Sequence, residues 1–348
     1  MRLENSENII MPQKVEEKDQ SLIESNAQES YQHMGRIIRE MKSKSPFQRE
    51  KVSANREKIF SPENGEFFID RITDSQTPEA EEICKFIDKF DPEEVDVDEI
   101  KINIQDDRYA YFVIQDGKKI VGCIQNSHIE NLDNRDEVMI FIGHVIVAPE
   151  YWRKGLATEL YQSVFERCLI KAQKENQIIK CIIGEGETKV EMENFFNQMN
   201  RKRIYFEDEA GNVHEVPYLQ LPLKWDKETG RPINPWTGEV SSKEDIEKCS
   251  AHIHLMVRMI DDKQRFPAKN VLSLVKTLYE DNYAGKAIHG SPENPEVEKE
   301  LDRLKEKLAK ALFGAKDGEV FLMSAEERAK KIQELTAIGK KLYETPDN

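Results

Sequence analysis

The stretch Val145-Ile146-Val147-Ala148-Pro149-Glu150-Tyr151-Trp152-Arg153-Lys154-Gly155-Leu156-Ala157-Thr158 concentrates the residue types from which an anion site is built. An apolar strand runs up to Pro149, a tight turn carries Arg153 and Lys154, and a long amphipathic helix opens at Leu156. The first backbone N–H groups of a helix have no intrahelical acceptor and converge on one point. The aligned peptide dipoles add partial positive charge there, and the two basic side chains add full charges. Such a cradle suits a pyrophosphate. Gly155 lets the backbone approach phosphate oxygens closely, and Ala157 keeps bulk away from the next contact. Taken alone, the pattern is also that of an ordinary strand–turn–helix with a basic turn. A second constellation, His252-x-His254, puts two imidazoles on one face of a strand, a spacing able to hold a metal ion. No cysteine or acidic pair stands at a partnering distance in sequence, so no metal site is expected.

The elements that must position this loop follow from periodicity and turn chemistry. Phe67 to Ile72 reads as a strand. Pro78 opens a helix to Phe90 with Ile83, Phe86, Ile87 and Phe90 on one face. Tyr109 to Ile114 and Lys119 to Ile124 flank Asp116-Gly117, a hairpin signal. Val138 to Val147 is a long apolar strand ended by Pro149, and Leu156 to about Glu175 is the long helix. Ile178 to Ile183 reads as a strand, Val190 to Met199 as a short helix with Phe195 and Phe196, and Arg203 to Phe206 as a weak strand. Tyr218 to Leu223 and His254 to Ile260 are two more strands, separated by a Pro- and Gly-punctuated excursion from Asp226 to Ser250. Phe266 to Tyr283 looks helical.

At the two ends the composition changes. Residues 1–60 are rich in Glu, Gln, Ser, Lys and Asn and read as a disordered tail, apart from a short helix near Tyr31 to Lys42. Residues 294–345 read as a C-terminal helical hairpin. Its first helix carries a stripe of Val297, Leu301, Leu304, Leu308 and Leu312, and Ser324-x-x-Glu327 is a capping box for the second. Such a hairpin either docks on the core or makes a homodimer seam.

Fifty-one Lys and Arg against 66 Asp and Glu leave a net charge of −15. That balance argues against nucleic acid as a partner, because nonspecific binding needs basic residues to displace counterions. It mildly favours cationic acceptors. No run approaches membrane-span length, so no membrane partner is expected. The five cysteines include no C-x-x-C pair, and four of them sit in apolar runs, so a reducing, cytoplasmic location is expected.

The Val145 to Thr158 string resembles the cofactor motif of the GNAT acetyltransferase superfamily, written (Gln/Arg)-x-x-Gly-x-(Gly/Ala) after a strand ending in Val-x-Pro. Gly155 and Ala157 match the glycine and the small residue, and Val147-Ala148-Pro149 matches the strand exit. Trp152 departs from the pattern at the Gln/Arg position. The resemblance implies an α+β fold over residues 66–285, with a mixed, mostly antiparallel twisted sheet flanked by helices. It implies acetyl-CoA as cosubstrate, direct attack by an amine, and an amine-bearing small molecule or peptide as acceptor. Val145, Ile146 and Val147 would pair with the pantetheine arm, and the amides of Arg153, Lys154, Gly155, Leu156, Ala157 and Thr158 would cradle the pyrophosphate. Phe195 and Phe196 would pack the acyl arm.

Catalytic roles are less sharply implied. The family commonly uses a tyrosine as the acid, and Phe196 stands at its place in this sequence. Tyr218 and Tyr205 are substitutes by residue type. Glu185, near a strand end where family members often carry a carboxylate, is the expected base, and His144 is the second candidate. The acceptor side would lie near Asp91 to Asp106 and the Asp226 to Ser250 excursion, where Trp225 and Trp236 could stack on a substrate. A CoA-binding regulatory module or scaffold without turnover is the alternative to an enzyme.

Overall fold

The computed structural model describes residues 17–90, 97–187, 199–218, 253–283 and 295–337. Eight strands form the main sheet: β1 (Gln48–Lys51), β2 (Arg56–Ser61), β3 (Gly65–Ile72), β4 (Tyr109–Asp116), β5 (Lys119–Asn131), β6 (Asn134–Val147), β7 (Ile178–Glu187) and β10 (Ile253–Met259). They lie side by side in that order. Every neighbouring pair is antiparallel except β6 and β7, which are parallel. A parallel pair needs a crossover, and α4 (Leu156–Glu175) supplies it.

The local sequence explains these elements. Asp116 pairs with Lys119 across a turn in which Gly117 takes a positive φ, so the hairpin falls where the dipeptide placed it. β4 is buried along almost its whole length, as a central strand covered on both faces must be. Helix α4 ends at Asn176, which adopts the left-handed conformation that closes a helix without glycine.

Both faces of the sheet are covered. One carries α1 (Glu17–Lys44) and α4. The other carries α2 (Pro78–Phe90) and α3 (Val97–Gln105) over strands β3 to β5. Beside them, over β6, β7 and β10, lies α5 (Ala268–Thr277), which continues as a π-helical turn, Leu278–Tyr283. A second sheet of four antiparallel strands has the order β11 (Arg265–Pro267), β12 (Glu319–Met323), β8 (Arg203–Glu207), β9 (Val213–Glu215).

Two expectations for the chain ends are corrected. Residues 17–61 are not a tail. Ala27, Tyr31, Met34, Ile37, Ile38 and Met41 line one side of α1 and are buried against α4 and β7. The Tyr31 hydroxyl donates to Ala172 O at 2.9 Å. β1 and β2 then extend the main sheet beyond β3. The stripe was hidden because Glu, Gln and Lys crowd the outer face and lower the average. The C-terminal segment is not a helical hairpin either. Between α6 (Pro295–Phe313) and α7 (Ala325–Ala337) runs β12, paired on one side with β11 and on the other with β8. The leucine stripe of α6 does dock, against α5, and the Ser324–Glu327 capping box forms with bonds of 2.7 and 3.1 Å.

Among the described residues no helix is long and apolar enough to cross a membrane. The thiols of Cys84, Cys123, Cys168 and Cys181 are free and buried. Burial pushes Cys168 up to about 11 and Cys181 up to about 12, which makes both unreactive.

Candidate functional site

The parallel pairing of β6 with β7 stops at Ile142 and Gly184, yet β6 continues to Val147 and β7 to Glu187. Beyond that point the two strands part. A bulge in β6 coincides with the parting, because two residues of β5, Ile124 and Asn126, span three intervals from Val145 to Ile142. Bulges bend a strand and end its pairing locally. The phase of the remaining β5–β6 ladder is set by the bond from Ala148 N to Val121 O at 2.9 Å. By antiparallel alternation Ile146 then bonds to β5, while Val145 and Val147 turn their N–H and C=O groups toward the gap. An extended polar chain can add itself along such an edge as an extra strand.

At the end of this edge, Pro149–Tyr151 makes one 3-10 turn, and Arg153 and Gly155 follow with φ of 64° and 85°. Gly155 is the N-cap of α4, with no side chain capping it. The first bond of the helix runs from Glu159 N to Gly155 O at 3.3 Å. The preceding amides, from Gly155 to Thr158, are the ones a helix start leaves without intrahelical acceptors. Gly155, Ala157 and Thr158 are half-buried, Leu156 is buried beneath them, and Arg153 is exposed. The Lys154 ammonium lies 4.7 Å above the centre of the Tyr151 ring. Main-chain donors so arranged can hold an anion.

Trp152, the departure from the motif, has a definite contact. Its indole N–H donates to Val147 O at 2.6 Å, taking up one outward acceptor of the exposed edge. Val145 therefore offers the outward donor and acceptor nearest the parting of the strands.

Glu185 and Tyr218 are brought together. Glu185 lies on β7 directly across from Leu255, one residue past the end of the parallel pairing. The Tyr218 hydroxyl donates to its carboxylate. The Tyr218 ring stacks on that of buried Tyr279, with centroids 5.7 Å apart and planes within 17°. Tyr279 belongs to the π-helical turn, a device that often marks functional sites. His144 is half-buried on β6 at the bulge, across the gap from the end of β7. Tyr205 is elsewhere, in the second sheet, stacked on Phe321, and burial raises its phenol well above the usual range. Phe195, Phe196, Trp225, Trp236 and His252 lie outside the described residues.

His254 is a paired core residue. Its Nδ1 is 2.5 Å from Glu215 Oε1, and Arg203 stands 3.5 Å from the other oxygen. Burial alone would raise the Glu215 carboxyl, but the His254 bond and the charges of His254 and Arg203 hold it below the usual range. Among the described residues no group of three or more metal-ligating side chains occurs.

Two further contributors leave no local sign in the sequence. Arg201 is fully buried, its guanidinium 5.1 Å from the centre of the Tyr161 ring. A Cβ on Gly184 would come within 2.8 Å of Arg201 Nη1 and 3.0 Å of Ile142 O, so a side chain there would require Arg201 or the parting strands to shift. Arg49, from β1, reaches the first turn of α4 and pairs with Glu159 at 2.8 Å. These residues meet across long sequence separations, and no local spacing announces them.

Residues 69–176 match the model of the Acetyltransferase (GNAT) family. Comparison with curated protein sequences returns no match. Among solved structures, the chain is similar to Arabidopsis thaliana NAA60 in complex with acetyl-CoA, at 10% identity and a TM-score of 0.36, over 56% of this chain and 99% of that one. It is also similar to the aminoglycoside acetyltransferase HMB0005 from an uncultured soil metagenomic sample, at 14% identity and a TM-score of 0.33, over 45% of this chain and 99% of that one. A third is the ribosomal-protein-alanine N-acetyltransferase of Brucella melitensis biovar Abortus 2308, at 13% identity and a TM-score of 0.30, over 38% and 90%. The family match spans the segment from β3 to the end of α4 that carries the bulged strand, the tight turn and the uncapped helix start. Residues 69–176 of this chain are a GNAT acetyltransferase domain.

Proposed function

We propose that the protein is an N-acetyltransferase that moves an acetyl group from acetyl-CoA to an amine by direct attack. The observation that carries this reading is the parting of β6 and β7 beside the uncapped start of α4. One end of the gap offers the outward groups of Val145, and the other offers the amides of Gly155 to Thr158. An acyl-pantetheine arm fits the first and a pyrophosphate the second.

The acceptor amine attacks the thioester carbonyl, forming a C–N bond as the C–S bond breaks. Glu185 takes the proton lost by the amine. Tyr218 donates its hydroxyl proton to the departing thiolate and recovers one from Glu185 through the bond between them. Glu185 lies beside the hydrophobic neighbours Ile183 and Leu255 on its face of the sheet. His144 is the second candidate base. The acceptor is an amine-bearing small molecule or peptide entering from the face that carries α2, α3 and α5.

The first experiment is a thermal-shift titration with acetyl-CoA and CoA, with Gly155→Glu as control. A ligand bound only by the folded state stabilises it by about 2.7 kcal/mol at 100 times its Kd. A rising midpoint that the control abolishes supports the reading, and an acceptor screen for free thiol release then follows. No rise at millimolar ligand sinks it. Phe196 at the family's usual acid position favours a second reading, a CoA-binding module without turnover. Ligand binding without thiol release on any amine would select that reading.

A further inference from the structure

Residues 45–49 lie across the start of α4. The ring of Pro46 and the edge of Phe47 would be 3.3 and 3.8 Å from a Cβ on Gly155, so this segment forms one wall of the turn. Beneath it is Glu159, a fully buried carboxylate in the first turn of the helix. Its position is unfavourable for an anion cradle. Four residues of helix rise only about 6 Å, so a full negative charge stands close to the amides meant for a phosphate. That charge competes for the partial positive charge of the helix start and repels any incoming anion.

Arg49 answers this charge. Its Nε donates to Glu159 Oε2 at 2.8 Å, and its Nη2 donates to the Glu159 main-chain oxygen at 2.6 Å. Its Nη1 reaches Glu57 at 2.9 Å and Ser163 Oγ at 3.2 Å. The Ser45 hydroxyl donates to the second Glu159 oxygen. The carboxylate is thus enclosed by donors from a segment more than 100 residues earlier in the chain, and the Arg49 side chain is only 15% exposed.

We propose that Arg49 is a positioning residue for the cosubstrate. By neutralising Glu159 and bracing the first turn of α4, it keeps the helix start open to the pyrophosphate, and the segment 45–49 thereby sets the affinity for acetyl-CoA. The inference rests on the cradle being the CoA site.

The test is calorimetric titration of CoA into the wild type, Arg49→Ala, Glu159→Gln and the double variant. An uncompensated charge within one or two helical turns changes anion affinity on the order of tenfold. Arg49→Ala is expected to bind CoA about tenfold more weakly, and adding Glu159→Gln is expected to restore most of that loss. The acetyl-CoA KM should rise far more than kcat falls. If Arg49→Ala does not fold, Glu159→Gln alone decides: with the Glu159 charge removed and Arg49 still cationic beside the cradle, CoA should bind more tightly. Wild-type affinity in Arg49→Ala, a double variant as weak as Arg49→Ala, or weaker binding by Glu159→Gln overturns the proposal. A wild type that does not bind CoA overturns the cradle's assignment instead.

Discussion

His128 gives a quantitative test of how the sheet is packed behind the site. It lies on β5, 2% exposed, with Nε2 2.9 Å from Gln177 Oε1 at the turn between α4 and β7. Burial lowers its pKa from 6.5 to about 4, and the Gln177 bond opposes that only in part. At pH 7 the imidazole is neutral in both folded and unfolded chains, and no stability depends on its titration. As pH falls below 6.5 the unfolded chain takes up a proton that the folded chain refuses until about pH 4. Stability is therefore present above 6.5 and lost as pH falls toward 4. The gap of about 2.5 pH units, at about 1.4 kcal/mol per unit, amounts to roughly 3.5 kcal/mol. The perturbation is His128→Asn, and the assay is urea unfolding of both proteins at steps from pH 7.5 to pH 4.5. The variant should be the less stable at pH 7, because a buried ring has been replaced by a smaller group. Its deficit should shrink steadily below pH 6.5. Parallel stability curves for the two proteins would refute the reasoning, since they would mean that His128 titrates alike in the folded and unfolded chains.

Further outcomes follow from other contacts. Glu185→Gln should cut turnover on the order of 10²–10³-fold with little change in CoA affinity, the size expected for loss of a general base; full turnover on a verified acceptor would move the role to His144. Tyr218→Phe should lower kcat and alter the alkaline limb of the pH–rate profile, and an unchanged profile would remove Tyr218 from the proton path. Met34→Ala, at a fully buried position of α1, should cost about 2–4 kcal/mol in chemical unfolding; a cost below about 1 kcal/mol would mean that the site collapses readily around the deletion. Gly184→Ala should destabilise the protein and weaken CoA binding together, because the methyl group meets Arg201 and the Ile142 carbonyl; separate behaviour of the two measurements would count against the wedge.

Much of the site was legible because it is local. Strand exit, turn and helix start occupy fourteen consecutive residues, and each conformation is written in the residues that adopt it. The bounds of α4 follow from the left-handed Gly155 and Asn176 at its ends. The Asp116-Gly117 hairpin is legible for the same reason. What escaped notice depends on partners distant in sequence. The bulge, at residues 143 and 144, shows itself as a change of register against β5. Glu185 and Tyr218 were candidates by residue type, but their bond depends on how the second sheet lies against β7. Arg49 and Glu159 are a basic and an acidic residue among 117 charged ones, and only the folded chain pairs them. The average polarity of helix α1 conceals an apolar stripe that three- and four-residue spacing reveals. β12 is hard to see in the sequence because five residues flanked by helices carry little periodic signal.

The place of β12 bears on how the protein emerges from the ribosome. The last strand of the main sheet ends at Met259, so that sheet can be complete while the C-terminal quarter of the chain is still unmade. The second sheet cannot close then. β8 and β11 meet only through β12, which ends at Met323. During synthesis of the intervening residues, a few seconds at typical elongation rates, the edge of β8 that will receive β12 has no partner from its own chain. Unpaired edges attract other strands. Premature release of the chain before Met323 should therefore yield a product with a finished main sheet and an adhesive second one, which a holdase would retain and a full-length chain would not engage.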